Sequence, residues 1–324
     1  RLQKRLSAAL RQGMASGPAG VLAAMVTGDR THLSKELRTA YRGAGLSHVL
    51  VVSGMHVSIL CGDVLGRLLP SRKKRLRGYT GRRVRALFSA VLALLLVGVT
   101  GFTPSVLRAA GAVWLSALGV WVYGPPDALT SLGVAGILMT AGNSCAVCDV
   151  GFQLSFAAVA GIFLCGQPLH AALLARIPFR PAKRWTFWWA VQLVPRFIVS
   201  TFCTTLGASV FTVPLSAIYF QSVSLIAPLS NLLTLWAVGI LFGAGVLIGT
   251  LGVFLPELAA LLALPIAPLG RYLNWVVDGL SNLTFSAVTT NSVYYRAWLV
   301  LVYLILILIP ILPGKKRWII PTCC

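Results

Sequence analysis

Long apolar runs recur along this chain from residue 46 to residue 313, and they constrain its fold more than any other feature. An apolar run of about 20 residues can cross the hydrocarbon core of a bilayer as a helix. Backbone polar groups inside a bilayer must find partners within the protein, so such runs fold as packed helices. Only 11% of the residues are charged, whereas a soluble domain carries roughly a quarter. We therefore expect an all-α, polytopic helical membrane bundle, and we exclude a soluble enzyme, a disordered chain and a disulfide-stapled secreted module.

About nine segments are candidate membrane spans. They lie near residues 46–66, 86–102, 105–123, 129–147, 150–166, 187–204, 206–222, 227–254 and 297–313. The stretch 257–296 is ambiguous because prolines and charges interrupt it, and it predicts a re-entrant segment, an interfacial segment or a pair of short helices. The resulting division is into lead-in helices at 1–45, a transmembrane domain at 46–313 and a basic tail at 314–324 that we expect to be truncated.

The first 14 residues predict an amphipathic, basic helix. Leu2, Leu6 and Leu10 fall on one helical face, and Arg and Lys side chains occupy the rest of the surface. Such a helix lies at a membrane surface or packs on the membrane domain.

An excess of basic residues predicts the orientation in the membrane. The chain has 28 Lys and Arg against 7 Asp and Glu, a formal net charge of +21. Loop 67–85 has no acid, and the positive-inside rule places it in the cytoplasm. Its principal basic residues are Arg72, Lys73, Lys74, Arg75, Arg77, Arg82, Arg83 and Arg85. Counting spans from this loop places the turn at 148–149 outside. Contact with anionic lipid headgroups is the default interpretation of the charge, and a polyanionic cargo is the alternative.

The first candidate span is too polar to face lipid on all sides. Ser53, His56 and Asp63 are three and seven residues apart, so on a helix they share one face. Two interpretations stay open, the lining of a water-filled cavity and hydrogen bonding between helices. A Ser/His/Asp hydrolase is less favoured, because one helix stacks the three side chains along a stripe instead of converging them.

Three further motifs place polar residues in or beside apolar segments. Pro104 suits the first turn of a helix, and Arg108 then lies about 6 Å deeper, either snorkelling to the interface or serving as a fixed cation in a pore. Asp149 is expected to cap a helix, while Gln153 and Ser155 need partners in lipid.

Prolines mark the fourth motif. Pro214 and Pro228, with Asn231 close behind, lie in hydrophobic stretches. Prolines in such positions are typical of broken helices at translocation paths, and they also occur in inert membrane helices.

The sequence predicts no cofactor, no metal site and no nucleotide hydrolysis. It has no GxxxxGK[ST] phosphate loop, and its four histidines form no metal-binding pattern. Cys145 and Cys148 form a lone CxxC without a second cysteine pair or a nearby histidine, which does not favour zinc. A disulfide at this turn requires an oxidising compartment.

Taken together, the four motifs resemble the competence domain of the ComEC/Rec2 family. The resemblance is carried, in the family's order, by GDRTHLSKELRTAYRGAGLSHVLVVSGMHVSIL (28–60), GFTPSVLRAAGAVWL (101–115), NSCAVCDVGFQLSFAAVAGI (143–162) and PLSAIYFQSVSLIAPLSNLL (214–233). It implies that the chain passes single-stranded DNA through the bacterial cytoplasmic membrane during natural transformation. It further implies an external DNA receptor and a cytoplasmic competence ATPase as partners, beside the membrane lipids.

The resemblance assigns signature positions and no catalytic residue. The matching positions are Ser53, Gly54 and His56 in SGxHV, Pro104, Ser105 and Arg108 in PSxxRA, and Asp149, Gly151, Phe152, Gln153, Leu154 and Ser155 in D-x-GFQLSF. Family members commonly carry an OB-like domain and a metallo-β-lactamase-like domain, and this sequence contains no pattern of either. We therefore expect no enzyme activity. The alternative function is a permease or lipid-handling protein whose basic loops serve only topology.

Overall fold

The structure is a computed structural model, and it describes residues 2–11, 14–64, 79–101, 103–122, 128–177, 187–283 and 286–289, with single residues at 292, 294, 297, 298, 300 and 301. Nearly all of it is helical. The α-helices are α1 (Leu2–Arg11), α2 (Ser16–Thr27), α3 (Lys35–Gly43), α4 (Gly54–Ser58), α5 (Tyr79–Thr100), α6 (Pro104–Trp121), α7 (Ala128–Gly142), α8 (Val150–Gly161), α9 (Gln167–Arg176), α10 (Phe187–Phe220), α11 (Ala227–Phe254), α12 (Pro256–Ala263) and α13 (Ala267–Ser281).

Three other helical turns extend or connect these helices. The π-helical turns Ile59–Val64 and Ile162–Gly166 follow α4 and α8 directly, and a 3-10 helix, Ser144–Cys148, leads into α8. Two short antiparallel strands, β1 (Ser222–Ser224) and β2 (Ala287–Thr289), pair through Val223 and Val288. The all-α prediction therefore holds except for this small sheet, whose three-residue strands are too short to give a sequence pattern.

The described residues form two compact units. The first contains Arg1–Arg42, Leu46–Phe152 and Thr234–Ser281, and the second contains Gly43–Gly45, Gln153–Leu233 and the residues from Asn282 onward. The first three motifs lie in the first unit as far as Phe152, whereas Gln153, Ser155 and the proline motif lie in the second.

The basic lead-in helix packs onto the first unit. Leu6 and Leu10 of α1 are buried. Gly252 of α11 permits the close approach, since a Cβ at that position would lie 2.7 Å from the Cβ of Ala9. The arrangement matches one of the two predicted positions of this helix, in which its apolar face covers another helix.

Asp29 ties α1 to the loop after α2. Its Oδ2 accepts a hydrogen bond of 2.7 Å from the Ser7 hydroxyl, and its Oδ1 accepts bonds from the backbone and hydroxyl of Thr31. The bond from Thr31 is the largest influence on the carboxylate, and together these bonds lower the pKa of Asp29 from 3.8 to about 2. The carboxylate therefore contributes stability above its unfolded pKa, and this contribution is lost as the pH falls through the folded pKa.

Replacing Asp29 by Asn is expected to lower the free energy of unfolding at neutral pH. The pKa shift corresponds to roughly 2 kcal/mol before solvent screening, and we expect about 1 kcal/mol for this partly exposed carboxylate. Thermal unfolding in detergent should show the difference between Asp29→Asn and wild type at pH 7, and the difference should shrink between pH 4 and pH 2. Glu257→Gln, an exposed carboxylate on α12, is the control. A difference that stays constant with pH would contradict the role of the charge.

Four described helices are long and apolar enough to cross a bilayer, or five if the bent pair α12 and α13 forms one span. They are Gly81–Thr100, Val150–Arg176, Val191–Phe220 and Ala227–Phe254. The nine predicted spans are therefore not shown. Ser105–Trp121 and Thr130–Gly142 are shorter apolar helices, and segment 302–313 of the last predicted span lies outside the described residues.

Three of the predicted spans differ from the structure for local reasons. Segment 46–66 is not one helix, because residues 46–53 are turns and extended backbone and α4 has only 5 residues. Segments 187–204 and 206–222 join in α10, a single helix of 34 residues that continues through Pro195 and Pro214.

The ambiguous stretch begins with a pair of helices, a geometry that fits a broken span or a re-entrant segment. α12 and α13 meet at a bend of 51°. Pro265 lies in the break, where its missing N–H and its ring oppose a continuous helix.

Candidate functional site

The first polar motif forms the start of a short helix. Ser53 has extended backbone angles (φ −120°, ψ 172°) and directly precedes α4. Its backbone N–H donates a hydrogen bond of 3.1 Å to Nδ1 of His56, and its hydroxyl lies 3.0 Å from the same nitrogen. The predicted shared helical face is therefore wrong for Ser53, which lies before the helix and meets His56 through the cap. Asp63 lies in the π-helical turn, and its side chain is outside the described residues.

His56 presents a buried hydrogen-bond donor. Because Nδ1 accepts from the Ser53 backbone, a neutral imidazole carries its proton on Nε2. The side chain is 0% exposed, and its ring meets the ring of Phe242 edge-on with centroids 4.6 Å apart. In the part of the chain that the structure describes, Nε2 has no hydrogen-bond partner. The ring is therefore held by the cap and by apolar packing.

The first two motifs pack directly against each other. α4 contacts α6, and a Cβ added to Gly54 would lie 3.6 Å from the Cβ of Ala109. Pro104 is the first residue of α6, as predicted, and Ala109 is the neighbour of Arg108 in that helix. The packing of the two motifs places the capped start of α4 beside the first turns of α6.

Arg108 joins the second motif to the third. Its side chain is 3% exposed, and Nη2 donates a hydrogen bond of 2.7 Å to the carbonyl oxygen of Gly151. The guanidinium carbon lies 5.7 Å from the centre of the Phe152 ring. Among the described residues, Nε and Nη1 have no hydrogen-bond partner. The hydrogen bond from Nη2 thus fixes the position of the guanidinium, while the N–H groups on Nε and Nη1 have no acceptor among the described residues.

Asp149 organises the segment that holds Arg108. Its Oδ1 accepts a hydrogen bond of 2.7 Å from the backbone N–H of Phe152, which confirms the predicted helix cap. The carboxylate is also an electrostatic partner of the Arg108 guanidinium. A cap that fixes the first turn of α8 therefore fixes the Gly151 carbonyl as well.

A buried guanidinium with unused donors can bind an oxyanion. Arginine keeps its charge in proteins and presents planar N–H groups that match the oxygens of a phosphate. Removing such a charge from water costs several kcal/mol, and the Gly151 carbonyl, the Phe152 ring and the Asp149 carboxylate offset part of that cost. The N–H groups on Nε and Nη1, which have no partner among the described residues, are the groups able to bind an oxyanion.

In the second unit, polar side chains on different helices form hydrogen bonds with each other. The hydroxyl of Tyr219 donates a hydrogen bond of 2.6 Å to Oε1 of Gln153. Nδ2 of Asn231 donates to the Thr205 hydroxyl over 3.1 Å, while its Oδ1 has no partner among the described residues. Ser155 of α8 is partly buried. These pairs show the partners that Gln153 and Asn231 need in an apolar surrounding.

The prolines of the fourth motif do not break helices. Pro214 lies inside α10, and Pro228 lies in the first turn of α11, where a missing N–H is harmless. Of the two interpretations that the sequence left open, the structure therefore favours prolines within or at the start of unbroken helices.

The basic cluster is partly helical. Arg82, Arg83 and Arg85 lie in α5, which begins at Tyr79, so the predicted loop 67–85 is shorter than expected. Arg83 donates to the carbonyl of Trp121 and lies over its ring, 4.9 Å from the centre. The other members, Arg72, Lys73, Lys74, Arg75 and Arg77, lie outside the described residues.

Two contacts of the site were not foreseen. One is the contact of His56 with the ring of Phe242, and the other is the hydrogen bond of Arg108 to the Gly151 carbonyl. In both contacts the partner lies far along the chain, and no sequence pattern indicates it. Among the residues that the structure describes, no group of three His, Cys, Asp or Glu could hold a metal ion.

Comparison with known proteins gives a family match and one curated relative. A family model described as "Competence protein" matches residues 25–316. ComE operon protein 3 of Bacillus subtilis (strain 168) is 33% identical over 138 residues. That match covers 43% of this chain and 17% of the relative, so the chain corresponds to a minor part of that protein. No solved structure matches the chain.

Proposed function

Because this chain belongs to the competence protein family, we propose that it forms the membrane path by which single-stranded DNA enters the cytoplasm during natural transformation. Its described helices include several of membrane-crossing length. The path is passive, so a partner motor supplies the energy. The chain transports the strand and carries out no chemistry on it.

The buried guanidinium of Arg108 carries this proposal. A DNA strand brings one phosphate charge per nucleotide, and each charge must stay solvated or paired while it crosses an apolar region. Arg108 offers free N–H donors at 3% exposure, with its position fixed by the Gly151 carbonyl. A passing phosphate would complete the hydrogen bonding of the guanidinium and then leave it for the next one.

The other motif residues take supporting roles in the proposal. Ser53 and His56 fix the start of α4, which packs against α6 with Gly54 beside Ala109. Asp63, Gln153, Ser155 and Asn231 remain candidates for lining the path.

Orientation and partners complete the proposal. The membrane is the bacterial cytoplasmic membrane, and the basic residues at 72–85 face the cytoplasm, where they meet anionic lipid or the emerging strand. An external DNA receptor delivers the strand, and a cytoplasmic competence ATPase pulls it inward. The transmembrane domain is the segment 46–313, with the lead-in at 1–45 and the tail at 314–324.

Uptake measured in two stages tests this function. The source cell would carry a deletion of the segment encoding this chain, and surface-bound DNA and nuclease-protected internal DNA would be scored separately. We expect normal binding, no internal strand, and recovery when the segment is restored. Unchanged internalisation would contradict DNA transport and would favour the permease or lipid-handling alternative.

The geometry of Ser53 and His56 argues against a hydrolase. A serine nucleophile needs a histidine whose second nitrogen is oriented by an acid. Here that nitrogen is Nε2, which has no hydrogen-bond partner, and therefore no acid, among the described residues.

Ser53→Ala is therefore expected to keep DNA internalisation near the wild-type level. Loss of the hydroxyl at the cap should lower the free energy of unfolding by about 1 kcal/mol. Thermal unfolding and the two-stage uptake assay would be compared with Ser58→Ala, which changes an exposed serine of the same helix. A folded Ser53→Ala protein with no internalisation would restore the nucleophile hypothesis.

A further inference from the structure

The exposed cysteine pair before α8 has no role in the proposed path. Cys145 and Cys148 are both free thiols with exposed side chains. They lie in the 3-10 helix Ser144–Cys148, and Cys148 is followed directly by the capping residue Asp149. Cys165 and Cys203, by contrast, are buried and inaccessible to a reagent in water.

The helix type brings the two thiols together. A 3-10 helix has three residues per turn, so side chains three residues apart lie one above the other. With a rise of about 2 Å per residue, the Cα atoms of Cys145 and Cys148 are about 6 Å apart. Disulfides join Cα atoms that are about 4.4–6.8 Å apart and Cβ atoms that are about 3.5–4.5 Å apart. The Cα spacing is therefore suitable, and the two stacked Cβ atoms, about 6 Å apart in this turn, must approach each other by about 2 Å. An α-helical CxxC would offset the side chains around the axis, and this turn does not.

Neighbouring residues hold the turn in this conformation. Oδ1 of Asn143 accepts a hydrogen bond of 3.0 Å from the backbone N–H of Cys145 at its start. The backbone N–H of Asp149 donates a bond of 3.2 Å to the carbonyl of Ala146 at its end. These bonds fix the two ends of the turn, and closing the disulfide requires the residues between them to tighten until the two Cβ atoms approach.

We infer that Cys145 and Cys148 are a site of reversible disulfide formation, closed by exchange with a disulfide oxidant at the outer face of the membrane. The proposal takes α5, α6 and α7 as three crossings that start from the cytoplasmic basic loop, which places this turn there. The closed disulfide fixes the segment that carries the Asp149 cap and the Gly151 carbonyl, and so it holds the support of Arg108 in place.

The exchange balances without any further reactant. The thiolate of one cysteine attacks the S–S bond of the oxidant, forming a mixed disulfide and releasing one thiolate. The thiolate of the second cysteine then attacks the protein sulfur of the mixed disulfide and releases the other. The pair loses two electrons, the oxidant gains them as two thiols, and the two protons pass from the pair to the released thiolates.

Differential alkylation of the purified full chain tests the site. The protein would be treated with oxidised glutathione, quenched with N-ethylmaleimide and digested for mass spectrometry. The peptide containing both cysteines is expected to lose two hydrogens and to carry no alkyl group. Cys148→Ser should stop at the mixed disulfide between Cys145 and glutathione. Alkylation of both cysteines, or mixed disulfides that persist in the wild-type chain, would overturn the proposal.

Two further readouts test its location and its effect. Acid trapping of intact cells should find the pair oxidised, and a fully reduced pair in cells would overturn the outer-face site. Hydrogen exchange at the Phe152 amide should slow several-fold on oxidation, because its acceptor Asp149 follows the closed turn. Equal exchange in both states would overturn the claim that the disulfide fixes the support of Arg108.

Discussion

An Arg108→Met variant is expected to keep its fold and to lose DNA internalisation by about 10- to 100-fold. Methionine is close to arginine in length and packs in an apolar site. The Asp149 carboxylate, which loses its electrostatic partner in this variant, is exposed to water and stays solvated. In the proposed path, the variant loses the charge-assisted hydrogen bond from Arg108 to a DNA phosphate, which contributes about 1.5–3 kcal/mol. Since about 1.4 kcal/mol is tenfold in rate, transport should fall by that range. The two-stage uptake assay would show bound DNA unchanged and internal DNA reduced.

The control removes the same charge elsewhere. Arg176→Met changes an exposed arginine at the end of α9 and should leave internalisation near wild type. Arg108→Lys keeps the positive charge and loses the planar guanidinium with its paired N–H donors. Its level of DNA internalisation should therefore lie between those of Arg108→Met and Arg176→Met. Wild-type internalisation in a well-expressed Arg108→Met protein would exclude Arg108 from the path.

A Gly207→Ala variant is expected to destabilise the second unit by about 2–3 kcal/mol. Gly207 of α10 faces the π-helical turn after α8, and a Cβ there would lie 2.6 Å from the Cα and N of Gly166. Backbone atoms cannot rotate away as the end of a side chain does, so the helices must separate, and overpacking of this kind costs about 1–3 kcal/mol or more. Thermal unfolding in detergent and the yield of folded protein would both fall.

The matched control is a glycine in open space. Gly243 of α11 has no atom within 4 Å of an added Cβ. Gly243→Ala should therefore be neutral or stabilise the helix by about 0.5–1 kcal/mol. If Gly207→Ala unfolds at the same temperature as Gly243→Ala, the close crossing of these helices does not exist in solution.

Local chemistry was readable from the sequence. The bounds 227–254 agree with α11 (Ala227–Phe254), because prolines stand near its start and directly after Leu255. The cap by Asp149 was predicted for a similar reason, since a carboxylate before a helix has an unpaired N–H within reach. Fold class and family followed from apolar runs and ordered motifs.

Long-range pairing was not readable. The partner of Arg108 is a backbone carbonyl 43 residues away, and a carbonyl has no residue identity. The joining of 187–204 with 206–222 was missed because the combined apolar stretch is far longer than the roughly 20 residues that one span needs, and the structure makes one helix of it. Ser53 was assigned to a helix because spacing alone does not distinguish a capping residue from an interior one.

The π-helical turn Ile162–Gly166 has a consequence for chain length. In an α-helix, residues five apart point about 140° away from each other, whereas i→i+5 bonding brings them towards the same side. Gly161 and Gly166 are five apart, and both lie against Gly207. Deleting one residue between them would leave the glycines four apart, and in a regular α-helix residues four apart still share a face. Inserting one residue would leave them six apart, about 120° from each other on an α-helix, and would turn one glycine away from the crossing. Insertions within this interval should therefore be rarer than substitutions.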